Sequence, residues 1–199
     1  HFRPPSLEER NSAREELGIH PSQKLIVSVG NGSNIKNYQS IVRAISSLDR
    51  DDLIYFQVGR EHCDGTDRHL VEELKLGEIV KFIGPVANVR TYLWAADVYV
   101  MPSLLEGFGL AAAEALATDL PCIFSRVPGL IDWEAKGLEI IWADTPDAAS
   151  VERALLDFLT MNLSDYNNPY AGNVELIQKT FSAAKGGHAY FDSYLEAGG

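Results

Sequence analysis

The sequence predicts an α/β fold: a doubly wound, Rossmann-like parallel sheet of about six strands with helices on both faces. Three observations carry this expectation. Six short apolar runs, rich in β-branched and aromatic residues, alternate with segments of helical periodicity. Glycine-bearing loops close several of those runs, in VSVG, FQVG and KFIGP. The 199 residues suit one well-packed domain, with no internal repeat and no low-complexity linker. A sheet of this kind binds ligands at the carboxyl ends of its strands, here the loops after Val29, Val58, Ile83 and Met101.

Taken in order, Ser6-Leu7-Glu8-Glu9 reads as a capping box whose helix runs to Gly18. Lys24–Val29 is the first strand, and the loop Gly30-Asn31-Gly32-Ser33-Asn34 precedes a helix carrying Ile41, Val42, Ala44, Ile45 and Leu48. Leu53–Val58 is the second strand, followed by a polar loop and a helix over Asp67–Leu76. Val80–Ile83 is the third strand, and Asn88 is expected to cap the helix VRTYLWAA. Val98–Met101 is the fourth strand, and Glu106-Gly107-Phe108-Gly109 opens into LAAAEALA, a run of strong helix formers. Pro121–Phe124 and Leu138–Ile141 are the fifth and sixth strands. Thr145-Pro146 begins the next helix, with proline at the permitted first position. A closing helix spans Val174–Leu195, with a break near Gly186-Gly187.

Composition narrows the function. Seventeen basic against 28 acidic residues leave a net charge of −11, which argues against general nucleic-acid binding. No apolar run approaches the roughly 20 residues that cross a bilayer, and no signal peptide is visible. Cys63 and Cys122 fit no zinc or redox spacing, so a reducing, cytoplasmic setting is expected. The chain opens with HFRPPS and no initiator Met, as a piece of something longer would.

Several motifs carry little. Gly30-x-Gly32 after a strand resembles a dinucleotide fingerprint, but Ile35 occupies the third glycine position and no acid follows about 20 residues on. Asp49-Arg50-Asp51 lies before the second strand, on the wrong edge for a ligand, and reads as a solvated turn. His62, Cys63, Asp64, Asp67 and His69 lack regular ligand spacing and read as an exposed polar loop. No GxSxG, HExxH or P-loop pattern occurs.

What remains is a convergence at Val100–Pro121. A strand, a glycine turn and a helix leave unpaired amides and a helix dipole facing the sheet edge, where an anion is favoured. Lys36 lies above the first strand and the Gly107–Leu110 amides above the fourth, and these strands can be neighbours. Taken alone, Lys36 would be a solvated surface lysine. Glu114 sits in an otherwise apolar helix and needs hydrogen-bond partners, which a ribose diol would supply.

PSLLEGFGLAAAEALATDLP resembles the E-x7-E signature of family-4 retaining glycosyltransferases of the GT-B fold. VSVG with Lys36-Asn37, VKFIGPV, LWAADVYVMPS and FSAAKGGHAYFDSYL are similar to further pieces of that family, in its order. The resemblance implies that residues 1–199 are one donor-binding domain, half of a GT-B enzyme. It also implies a closing helix from about residue 172 and an N-terminal acceptor domain outside this chain. Glu114 would accept from the ribose hydroxyls of a nucleoside diphosphate sugar, of UDP type, and Glu106 would approach the sugar and its phosphate side. Lys36 and the amides of Gly107, Phe108, Gly109 and Leu110 would hold the diphosphate, making Glu106 and Lys36 the catalytic candidates. Gly30 and Asn31 would border the diphosphate. Phe82, Ile83 and Gly84 would edge the base, with Gly59 and Arg60 nearby.

No metal or cofactor is implied, since preorganised donors would meet the charge on the leaving diphosphate. The acceptor, a glycan or lipid-linked molecule, would sit on the other domain, so this part alone should transfer no sugar. The full-length protein would act in polysaccharide biosynthesis in the cytoplasm, compatibly with a peripheral position at a membrane's cytoplasmic face. Two positions depart from the family: Asn31 stands where most relatives have arginine, for which Arg60 and Arg126 are candidate substitutes, and Thr118-Asp119-Leu120-Pro121 displaces a usual glycine. A sugar-nucleotide epimerase of the same fold and a non-catalytic GT-B binding module are the alternative readings.

Overall fold

The computed structural model describes residues 2–107, 109–161 and 169–183. Helix α1 (Leu7–Glu16) leads into β1 (Lys24–Val29), α2 (Tyr38–Leu48), β2 (Leu53–Val58), α3 (Thr66–Glu73) and β3 (Val80–Gly84). Then follow α4 (Arg90–Ala95), β4 (Val98–Met101), α5 (Leu110–Leu116), β5 (Cys122–Ser125), a 3-10 helix (Ile131–Lys136) and β6 (Ile141–Ala143). Helix α6 (Ala148–Thr160), a 3-10 turn (Pro169–Gly172) and α7 (Asn173–Ala183) complete the described chain.

The strands form one parallel sheet in the order β3-β2-β1-β4-β5-β6. Side chains alternate across it, so each apolar run feeds two cores. Leu25, Val27, Phe56, Tyr99 and Phe124 join α1, α4, α5 and α7 on one face. Ile26, Tyr55, Val98, Val100 and Ile123 join α2, α3 and α6 on the other. Because β1 pairs β2 on one side and β4 on the other, the strand order reverses between β1 and β4. A crevice opens there at the carboxyl edge.

The opposite edge is tied by one carboxylate. Asp97 accepts from Arg10 and Arg14 (3.0 Å each) and from the Leu25 amide (2.8 Å), with Lys24 Nζ at 3.6 Å. The same arginines donate to carbonyls at the end of α4, those of Ala95 and Ala96. Two-way bonding between Ser6 and Glu9 starts α1, as the capping box predicts.

Several boundaries differ from the sequence expectations. α1 ends at Glu16 with Leu17 as its cap, and Gly18, left-handed (φ 67), is the C′ residue that the sequence leads one to expect. Helix α3 ends at Glu73, because Lys75 is left-handed (φ 56) and breaks the run. Asn88 does not cap α4 itself; its Oδ1 accepts from the Arg90 amide one position early, leaving Val89 as the cap residue. The sixth strand is Ile141–Ala143, not Leu138–Ile141. Leu138 goes to the core, and the Glu139 peptide pairs on both sides with the Asn173 side chain (2.9 Å each) instead of with β5. Helix α6 starts at Ala148, since Asp147 takes the cap through the Ser150 amide (2.9 Å) and Asn37 holds the Pro146 carbonyl. Of the expected closing helix, Asn173–Ala183 is described; the stretch to Leu195 lies outside the described residues, as does Phe108. No helix among the described residues is long and apolar enough to cross a membrane.

Candidate functional site

The loop after β1 and the loop after β4 meet at the β1–β4 crevice. Lys36 Nζ donates to Glu106 Oε1 at 2.5 Å, and Ser103 Oγ donates to the same oxygen at 2.8 Å. The Glu106 side chain is 10% exposed and that of Lys36 25%. Lys36 reaches this position because Asn37, in left-handed geometry, precedes α2 and staples three loops. Its Nδ2 donates to the carbonyls of Pro102 (3.0 Å) and Pro146 (2.5 Å). Sequence reasoning saw Asn37 only as Lys36's neighbour; its two acceptors, far along the chain, define its role.

The Glu106 turn is clamped from several sides. Ser125 Oγ, at the end of β5, donates to the Ser103 carbonyl at 2.5 Å, and the Leu104 amide donates to the Ile35 carbonyl at 2.8 Å. Gly129, at φ +86, lies against the turn so closely that a Cβ there would come 2.2 Å from the Glu106 oxygen and 2.5 Å from the Gly107 oxygen. Gly109 (φ 73) then turns the chain into α5 without a side-chain cap, so Leu110 and its successors present first-turn amides at the crevice. Gly107 is exposed and Leu110 half-buried.

Glu114 lies one turn further along α5. It is half-buried and has no hydrogen-bond or ion-pair partner among the described residues, and burial pushes its carboxyl up to about 7.

Beside this pair the loops after β1, β2 and β3 interlock through glycine. A Cβ on Gly59 would come 2.3 Å from the Gly30 oxygen, and one on Gly32 2.5 Å from the His62 amide nitrogen. Gln57 Nε2 donates to the Gly30 carbonyl at 2.8 Å. Asn31 Oδ1 accepts from the Arg60 amide at 3.1 Å, so this side chain ties two loops together. Arg60 itself is exposed, and its guanidinium has no partner among the described residues. Phe82, Ile83 and Gly84 lie at the β3 end, two strands from β1, where the Gly59 amide donates to the Gly84 carbonyl at 2.9 Å. Arg68 sits 5.0 Å above the Phe82 ring.

Arg126, considered as a substitute cation, is committed elsewhere. It is bidentate to Glu134 (2.8 and 3.2 Å), lies 3.3 Å from Asp144, and stacks on Trp142. In the polar loop, Asp64 pairs with His62 and accepts from the Thr66 amide and hydroxyl, and no three metal-type ligands converge among the described residues.

The family model described as glycosyl transferases group 1 matches residues 9–172. The chain is 33% identical over 165 residues to D-inositol 3-phosphate glycosyltransferase 2 of Catenulispora acidiphila, covering 75% of this chain and 39% of that protein. It is 32% identical over 120 residues to N-acetyl-alpha-D-glucosaminyl L-malate synthase of Bacillus anthracis, covering 59% and 31% respectively. The chain thus spans about two fifths or less of these relatives. Among solved structures, Anabaena HepE in complex with UDP and glucose superposes with a TM-score of 0.80 at 15% identity, covering 98% of this chain and 54% of that one. The C-terminal domain of LpcC from Francisella tularensis superposes at 0.71 and 20% identity, with 90% of this chain and 95% of that one covered. These likenesses establish the fold as that of one half of a GT-B glycosyltransferase.

Proposed function

Because the chain belongs to the glycosyl transferases group 1 family, we propose that it is the donor-binding part of a retaining glycosyltransferase. Its donor is a nucleoside diphosphate sugar of UDP type. The pairing of Lys36 with Glu106 at the strand-order reversal, with a Glu114 that has no partner among the described residues, carries this reading. A lysine and helix-start amides suit a diphosphate, and a half-buried carboxylate suits a ribose diol. Glu106 then meets the sugar. Phe82, Ile83 and Gly84 line the base side. The UDP bound by HepE supports uridine as the base.

In the transfer, the anomeric C–O bond breaks and its electron pair leaves with the diphosphate. The acceptor oxygen bonds to the anomeric carbon on the same face, and its proton passes to the leaving phosphate. Lys36 and the amides of residues 107–110 stabilise the growing charge, which is where preorganised donors contribute most. Charge neutralisation falls to these groups and not to a metal ion. Acceptor choice belongs to the remainder of the polypeptide.

Calorimetry with UDP tests the reading. Wild type should bind, and Glu114→Ala should lose about tenfold in affinity, the scale of a charge-assisted hydrogen bond. Equal, weak binding by both proteins would overturn it. One observation favours a second reading, a module that binds nucleotide without turnover. Asn31 stands where the family resemblance implies an arginine, and its side chain accepts from the Arg60 amide. Sugar release from UDP-glucose by the intact protein decides between the two.

A further inference from the structure

We infer that Glu106 makes the site select a sugar-bearing nucleotide over the bare nucleoside diphosphate, by charge; this rests on the donor-binding reading above. The Glu106 carboxylate is anchored at the crevice by two donors on Oε1, Lys36 Nζ and Ser103 Oγ. Its turn is held by Ser125 donating to the Ser103 carbonyl, by the Leu104 amide donating to the Ile35 carbonyl, and by Gly129 against the Glu106 carbonyl. One carboxylate oxygen is already shared by Lys36 and Ser103, while Oε2 has no partner among the described residues.

A diphosphate that docks on Lys36 therefore arrives within a few ångströms of a fixed negative charge. The terminal phosphate of UDP has a second ionisation near pH 6 and carries close to two charges at pH 7.5. The same phosphate esterified to a sugar carries one, and the sugar brings hydroxyl donors for the open carboxylate oxygen. Bare diphosphate is repelled where the sugar nucleotide is bonded. At the screening of a protein surface, one extra charge at this range is worth about tenfold in affinity. Product is thereby disfavoured relative to substrate without any moving part.

The test is calorimetry at pH 7.5 with UDP and UDP-glucose on wild type, Glu106→Gln and Lys36→Gln, with thermal unfolding as a folding check. Glu106→Gln should bind UDP about tenfold tighter and UDP-glucose about tenfold weaker, opposite signs from one substitution. Lys36→Gln should weaken both ligands. If Glu106→Gln moves both ligands the same way, or leaves UDP unchanged, the selectivity role is overturned. A measurement on wild type alone covers a variant that does not fold. UDP methylated on its terminal phosphate, one charge poorer, should bind at least as tightly as UDP, and tighter binding of UDP overturns the inference. Wild type that binds neither UDP nor UDP-glucose refutes the donor-binding reading itself, and the inference falls with it.

Discussion

At Glu114 the fold holds a carboxyl against its own solvation. Helix α5 half-buries it among alanines with no cation in reach among the described residues, so the neutral form is favoured and its titration rises to about 7. The sign for stability follows from linkage. A carboxyl that binds its proton more tightly folded than unfolded lowers stability as pH climbs from its ordinary value near 4.5 to about 7, and the penalty is complete above that. Glu114→Gln removes the charge and should stabilise the protein at pH 8 by about 1–3 kcal/mol, with no gain at pH 4. Urea unfolding at the two pH values checks this, and an equal gain at both would contradict it. A ribose diol donating to the ionised form would reverse the penalty. UDP binding at pH 6.5 should therefore release protons, visible as a dependence of calorimetric heat on buffer ionisation enthalpy.

At the scale of elements, the Glu106 turn gets its shape from the turn after β5, and Gly129 is the contact between them. A methyl group there collides with two backbone oxygens at a positive φ, a strain of about 1–3 kcal/mol. Gly129→Ala should lose stability and UDP-glucose affinity together. Gly137→Ala makes the control: its φ is +79 but nothing lies within 4 Å, so it should lose stability alone. Unfolding and calorimetry on both variants decide it. Gly129 was invisible in the sequence because its constraint is a backbone more than 20 positions away. The same holds for β6: the Glu139 peptide pairs with Asn173, 34 positions on, and no local pattern carries that information. By contrast β1, β2 and β4 were legible to the residue, since each is a short apolar run buried on both faces with a loop at each end. Glu114 was legible as chemistry, a charge in an apolar helix, while the separate roles of the two carboxylates rested on resemblance. The meeting of Lys36 with Glu106 needed only the neighbourhood of β1 and β4, which the doubly wound pattern allows and the observed strand order supplies.

Across the whole molecule the two edges of the sheet divide the work. The carboxyl edge carries Lys36, Glu106 and the glycine loops, while the amino edge is tied together by Asp97. That carboxylate is 13% exposed and joins α1, through Arg10 and Arg14, to the starts of β1 and β4. Replacing it with alanine leaves two guanidinium groups, 30% and 11% exposed, crowded at the end of α4 without their counter-charge. Breaking a buried pair from one side costs about 3–5 kcal/mol, more than the pair contributes by being present. At about 2–4 °C per kcal/mol for a chain of this size, Asp97→Ala should lower the melting temperature by roughly 6–20 °C. UDP affinity, measured well below the transition, should stay within about twofold of wild type, because the sheet separates the cluster from the crevice and distant sites act independently. The variant should be rescued in part by Arg10→Met, which removes one stranded charge while keeping an apolar side chain of similar length. If Asp97→Ala instead weakened UDP binding at a temperature where the fold is intact, the two edges would be coupled. The sheet would then be transmitting strain from its amino end to the loops that hold Lys36 and Glu106.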